Sequence, residues 1–225
     1  MTDTSLPFRD RARRWIAENP VAAVITFVCL AIEAVLQGAD RGLWGAQNWR
    51  DIAFTEGAFW APLLHGTQPI FATQPEAMFL TYGFLHAGLL HVGVNMASMV
   101  SLAVPISARL GQRRFALLYF IALLGGGAGF GLLSSLQAPM IGASGALFGL
   151  VGAILAWAWA DRRAYGQHPA QIMRVLARPF IILIGLNVVM FWGTGGQLAW
   201  QTHLGGFVTG WIAGLLLDPR ARRRR

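Results

Sequence analysis

The sequence predicts an all-α, polytopic membrane protein: a bundle of six transmembrane helices with a long outer loop between spans one and two. Three observations carry that expectation. Of 225 residues, 55% are hydrophobic and only 12% charged, about half the charged share of a soluble domain. The apolar residues fall in long runs, and crossing about 30 Å of hydrocarbon takes roughly 20 apolar residues of helix. The basic residues, finally, collect between those runs in a one-sided pattern.

The spans read as roughly 20–38, 79–104, 115–136, 144–160, 178–193 and 203–217. The first is too long for a signal-peptide core and has no small-x-small cleavage site after it, so it reads as retained. Glu33 is the one charge in the interior of these runs. Cys29, the single cysteine, excludes an internal disulfide and a zinc site of paired thiolates. It reads as a small apolar residue facing lipid.

Charge orients the bundle. All 18 basic residues are arginines. They group before span one (Arg9, Arg11, Arg13, Arg14), after span two (Arg109, Arg113, Arg114), between spans four and five (Arg162, Arg163, Arg174, Arg178) and in the tail (Arg220, Arg222 to Arg225). Only Arg41 and Arg50 fall on the other side. The positive-inside rule makes the arginine-rich side cytoplasmic, with both termini there, as in a bacterial inner membrane. The net charge of +8 is spread over helix ends, which suits topology and anionic lipid and argues against nucleic acid as a partner.

The domain plan is a basic cytoplasmic segment (1–19), one membrane domain (20–217) and a basic cytoplasmic tail (218–225). The outer loop, about 39–78, holds Trp44, Trp49, Trp60, Phe54, Phe59 and Phe71 among glycines and prolines. Such rings favour the membrane–water interface, so short helices in the outer leaflet are expected. The run Gly125-Gly126-Gly127-Ala128-Gly129 lacks a following lysine and reads as close helix packing, not as a phosphate loop.

Polar residues inside a membrane are costly and therefore informative. At a helical rise of 1.5 Å, Ser144 lies about 25 Å from Asp161 at the inner end of its span, and His203 about 22 Å from Asp218. Asn95 lies about 21 Å and His91 about 27 Å from Arg109 by the same rise. All four fall in one layer below the outer surface. Gly142-Ala143-Ser144-Gly145 approximates the G-x-S-x-G turn that exposes a nucleophilic serine before a helix, with Ala146 at the fifth place. Pro139 and Gly142 make 134–143 irregular, so the helix should start near Ser144, among free N–H groups at a positive helix end. From His203, Gly206 and Gly210 stand at i+3 and i+7, on the histidine's own face. Gly145 and Gly149 offer a matching small face on span four, and packing the two would bring His203 towards Ser144 as a serine–base pair. His91 and Asn95, four apart, share a face of span two. They suit a developing oxyanion better than a metal. His86 points elsewhere and reads as a loop anchor, while His65 and His168 lie outside the core.

This constellation resembles the rhomboid intramembrane proteases. The resemblance rests on His86, His91 and Asn95 at their spacing, on Gly142-Ala143-Ser144-Gly145, and on His203 with Gly206 and Gly210, in the family's order on helices two, four and six. It covers about residues 20–217. It implies Ser144 as nucleophile and His203 as general base. His91, Asn95 and the Ser144 backbone N–H would form the oxyanion hole. The implied substrates are membrane-anchored, single-span proteins cleaved in or near the outer end of a transmembrane helix. Three places depart from the pattern. Ala77 and Met78 stand where many relatives have a Trp-Arg pair, Phe148 replaces a tyrosine four residues after the serine, and Ser107 replaces an acidic residue.

With no carboxylate in the layer, the expected machinery is a dyad with neutral imidazole, needing neither metal nor cofactor. Water must reach it from the outer side. Span five is the expected gate, with Phe191 and Trp192 as plugs and the loop from Gly193 to Gln197 as hinge. Two other readings remain: a non-catalytic relative that binds transmembrane helices, and a transporter, which would normally show intramembrane charges. A serine-directed fluorophosphonate separates both from the enzyme.

Overall fold

The computed structural model describes residues 7–135, 138–193 and 198–220. Its helices are α1 (Phe8–Glu18), α2 (Pro20–Asp40), α3 (Trp49–Gly57), α4 (Gln74–Thr81), α5 (Leu89–Leu110), α6 (Gln112–Leu133), α7 (Ser144–Ala164), α8 (Pro169–Gly193) and α9 (Trp200–Leu217). Short 3-10 turns occupy Ala61–His65 and Tyr82–Phe84. Among the described residues α2, α5, α6, α7 and α8 are long and apolar enough to cross a membrane. The sixth member, α9, is less apolar because its first turn holds Gln201, Thr202 and His203, all buried. Two of its faces meet protein, so it tolerates polar residues and glycines that a lipid-facing helix would not.

Small residues set the centre of the bundle. A methyl group added at Gly206 would collide with the Gly145 carbonyl, and one at Gly210 with the Gly149 carbonyl. On a neighbouring face of α9, a methyl at Gly129 would lie 2.8 Å from the Gly205 Cα, and one at Gly125 would strike Thr209. So α9 is gripped between α7 and α6, backbone against backbone. Lipid is as apolar as leucine, and such close approach is what holds membrane helices together. The α5 helix flanks α7, α2 lies outside α5, and α8 meets α7 through a separate apolar cluster of Leu155, Ile172 and Leu176.

One end of the bundle is tied by charge. Arg109 pairs with Asp161 at 2.7 Å and with Asp218 at 2.7 Å, its guanidinium over the Trp157 ring. This joins the C-terminal ends of α5, α7 and α9. Towards the other end, Glu33, 1% exposed within α2, is paired by Arg50 of α3, which also reaches Asp40 at 2.7 Å and donates to the His86 carbonyl at 2.9 Å. Burial by itself would lower the pKa of Arg50, but hydrogen bonds and attraction from Glu33 and Asp40 outweigh it and raise the value. Arg50 therefore ties α3 to α2 and to the chain at His86.

Several boundaries differ from the sequence reading. Span two starts at Leu89, not 79, because the apolar stretch before it forms α4 and a 3-10 turn, and Gly88 at φ +113° caps the long helix. The helix that carries span five starts at Pro169, not 178, so Arg174 and Arg178 lie within it and do not precede it. Cys29 is fully buried with its Sγ towards the Gly83 carbonyl, so it faces protein and not lipid. The outer loop forms short helices as expected, with Trp44 half-exposed, but Phe59 turns inward and packs edge-on against Phe79, Tyr82 and Phe130.

Candidate active site

The chain before α7 is placed by backbone pairing. Phe59 and Met140 exchange N–H to carbonyl bonds at 2.9 Å, and the Gly142 N–H donates to the Tyr82 carbonyl at 2.9 Å. Gly142 has φ +112°, and a side chain there would approach the His91 ring to 2.8 Å, so this turn requires glycine. Two residues on, Ser144 opens α7. The helix's first bond to a preceding carbonyl runs from Leu147 N–H to Ala143, so the N–H groups of its first turn have no intrahelical acceptor.

Close packing of α7 on α9 brings His203 to Ser144: Nε2 lies 2.9 Å from the serine Oγ. The imidazole is 4% exposed. Phe148, one turn after Ser144, stacks on it with ring centroids 4.2 Å apart and planes 6° from parallel. The missing hydroxyl at 148 thus leaves the stacking surface intact.

His91 and Asn95 both face Gly142. The His91 Nδ1 accepts the Ala87 N–H at 3.3 Å, so a neutral His91 carries its proton on Nε2, the edge turned to Gly142. Asn95 Nδ2 donates to the His91 carbonyl at 3.1 Å. His86 is buried behind His91, ring edge to ring, 5.1 Å apart, while its carbonyl takes Arg50. The hydrogen bond from Arg50 is to the His86 backbone; the ring meets His91 by edge contact only. Gly145, Gly206 and Gly210 are the contact points of α7 and α9. His65, at the end of a 3-10 turn, and His168, between α7 and α8, stand apart from this group.

One residue escaped the sequence reading. Asn187 of α8 places its Oδ1 2.6 Å from His203 Nδ1. An amide in an otherwise apolar span is the signal the sequence offers for it. Asn187 also lines a lateral cavity of about 600 Å³ with Leu183, Trp192, Trp200, His203 and Leu204, between α8 and α9. Trp192 is 77% exposed along its edge. The side chain of Phe191 and the 194–197 stretch lie outside the described residues.

Chemically, a serine hydroxyl facing an imidazole nitrogen, beside a helix N-terminus and two further N–H donors, offers a proton acceptor and a place for negative charge. The comparisons agree in kind. Residues 75–220 match the family model described as Rhomboid domain. "RHOMBOID-like protein 1" of Arabidopsis thaliana is 37% identical over 136 residues, 59% of this chain and 32% of that protein. "Rhomboid-type serine protease 2" of Emericella nidulans is 29% identical over 152 residues (65% and 28%). "Rhomboid protease GluP" of Bacillus subtilis is 29% identical over 143 (63% and 26%). The chain thus spans about a third or less of the length of these curated relatives. The match takes in the helices that carry Ser144, His203, His91 and Asn95, and with well over half of its residues inside that one domain, this chain belongs to the rhomboid family.

Proposed function

We propose that the protein is an intramembrane serine endopeptidase that cleaves single-span, membrane-anchored proteins in or near the outer end of a transmembrane helix. The observation that carries the reading is the 2.9 Å approach of Ser144 Oγ to His203 Nε2, in a layer with donors on two sides. Two of the relatives carry protease names, one of them a serine protease, which supports the reaction class for the family.

In this reading Ser144 Oγ attacks the carbonyl carbon of the scissile peptide as its proton passes to His203 Nε2. The oxyanion is held by His91 Nε2–H, Asn95 Nδ2–H and the Ser144 backbone N–H. Collapse expels the amine, which takes the proton from Nε2, and leaves an acyl-serine. A water from the outer side, deprotonated by the same nitrogen, releases it. A helical substrate must unwind to expose a peptide bond, so sequences with glycine, proline or small residues near the cut are favoured.

The reading places residues 20–217 in one membrane domain of a bacterial inner membrane, with the arginine-rich 1–19 and 218–225 on the cytoplasmic side against anionic lipid. Residues 1–6 and 221–225 of those segments lie outside the described residues.

The test is fluorophosphonate labelling and cleavage of a reconstituted single-span substrate by purified protein. Wild type should label and cleave. Ser144→Ala and His203→Ala should remain folded and lose at least about 1,000-fold in turnover. Near wild-type cleavage by either variant overturns the assignment, and a wild type that never labels supports the helix-binding, non-catalytic alternative. Comparative membrane proteomics of wild type against Ser144→Ala then finds the substrates.

A further inference from the structure

We infer that Asn187 is a positioning residue for the base: its Oδ1 holds His203 in the Nδ1–H tautomer and ties the orientation of the imidazole to the position of α8. The inference rests on the serine-protease reading and deepens it.

The hydrogen bonds of Asn187 leave little freedom. Its Nδ2 donates to the Leu183 carbonyl at 2.9 Å. A carbonyl only accepts, so this contact identifies the nitrogen end of the amide and turns Oδ1 to the ring. Oδ1 then sits 2.6 Å from His203 Nδ1. That oxygen carries no proton, so Nδ1 must. A neutral imidazole has one N–H, and Nε2 therefore presents its lone pair to the Ser144 hydroxyl at 2.9 Å. In the other tautomer a lone pair would face Oδ1, and Nε2 would donate to the serine it should deprotonate. The partner of one ring nitrogen sets the role of the other.

Phe148 and Asn187 divide the work. Stacking on Phe148 at 4.2 Å fixes the plane of the ring but resists rotation within that plane only weakly. A hydrogen bond at the ring edge resists that rotation. The amide also does this without adding charge. Among the described residues, His91 of α5 is the titratable group that acts electrostatically on His203; Ser144 and Phe148 face it from α7 and Asn187 from α8.

The link matters because of where Asn187 stands. The inner half of α8 is held by buried Ile172 and Leu176, while Ile181, Ile184 and Val189 in its outer half are exposed. Outward movement of α8 would carry Asn187 with it and stretch the contact to His203. Orientation of the base and closure of α8 are then one event.

The experiment compares wild type, Asn187→Leu and Asn187→Asp, all in detergent, by thermal unfolding, pH–rate profile and ring 15N shifts of His203. Asn187→Leu should lower kcat about 10- to 100-fold, part of what a positioned base contributes, with KM within about twofold. Its ring should show mixed tautomers where wild type shows Nδ1–H. Asn187→Asp should keep activity within about tenfold of wild type and move the acid limb upward by about 1 pH unit or more, since a carboxylate favours imidazolium. The inference is overturned if Asn187→Leu keeps wild-type kcat and tautomer. It is equally overturned if both variants lose activity with the acid limb of Asn187→Asp unmoved, the result of a structural role. Failure of the protease reading would look different: wild type itself would neither cleave nor label, while the tautomer measurement would still decide the role of Asn187.

Discussion

Ser144 and His203 sit 59 positions apart in the chain and 2.9 Å apart in space, and the side chains around them differ in what their loss should do. In the proposed reaction His91 and Asn95 stabilise charge and do not create the nucleophile. His91→Ala and Asn95→Ala should each lower turnover about 100- to 1,000-fold while fluorophosphonate still labels Ser144. Loss of labelling with folding intact would mean that they position the serine itself. Arg50 belongs to stability. Its removal leaves Glu33, 1% exposed, as an unpaired buried carboxylate, so Arg50→Met should destabilise by about 3 kcal/mol or more. Adding Glu33→Gln should recover most of that in thermal unfolding; a double variant no better than the single one would show that the pair is not what anchors the loop.

The α7–α9 contact converts a pattern of glycines into the 2.9 Å approach of His203 to Ser144. Gly206→Ala would drive a methyl group into the Gly145 carbonyl, at a cost of about 1–3 kcal/mol for overpacking. It should also lower turnover about 100-fold through displacement of His203. Gly93→Ala, where a methyl group meets nothing within 4 Å, is the matched control and should be silent in both assays. The gate is tested on α8. Trp192→Ala should speed cleavage of a transmembrane substrate more than that of a short soluble peptide. A disulfide between α8 and α5, introduced in a Cys29→Ala background, should slow it. If the verified cross-link changes nothing, admission runs elsewhere, and the cavity between α8 and α9 becomes the path to block next.

Arg109 holds three helices at one end of the molecule, and its consequences are global. Asp161 and Asp218 both rely on it, the latter 1% exposed, so Arg109→Leu should destabilise the whole bundle by about 3–5 kcal/mol. Asp218→Asn in the same background should restore part of the loss, read as the midpoint of thermal unfolding. Orientation is a separate question, answered by single cysteines. A thiol at 67 should react with an impermeant reagent from outside intact cells, and one at 166 only after permeabilisation. The reverse result would invert the topology and the side on which substrates are cut.

Much of this was legible in the chain. Apolar runs and one-sided arginines betray a helical membrane protein because lipid penalises every exposed charge. The layer of Ser144, His203, His91 and Asn95 could be counted because helical rise is constant and Arg109, Asp161 and Asp218, used as markers, meet in space. The start of α5 was hidden, since α4 and the turn after it are as apolar as the span they precede. The pairing of Glu33 with Arg50, the inward turn of Phe59 and the approach of Asn187 to His203 depended on tertiary structure. Periodicity and depth say how far along its helix a residue lies and which residues share its face. They do not say which neighbour that face meets, because it is set by the packing of glycines on α6, α7 and α9 and by where α8 comes to rest.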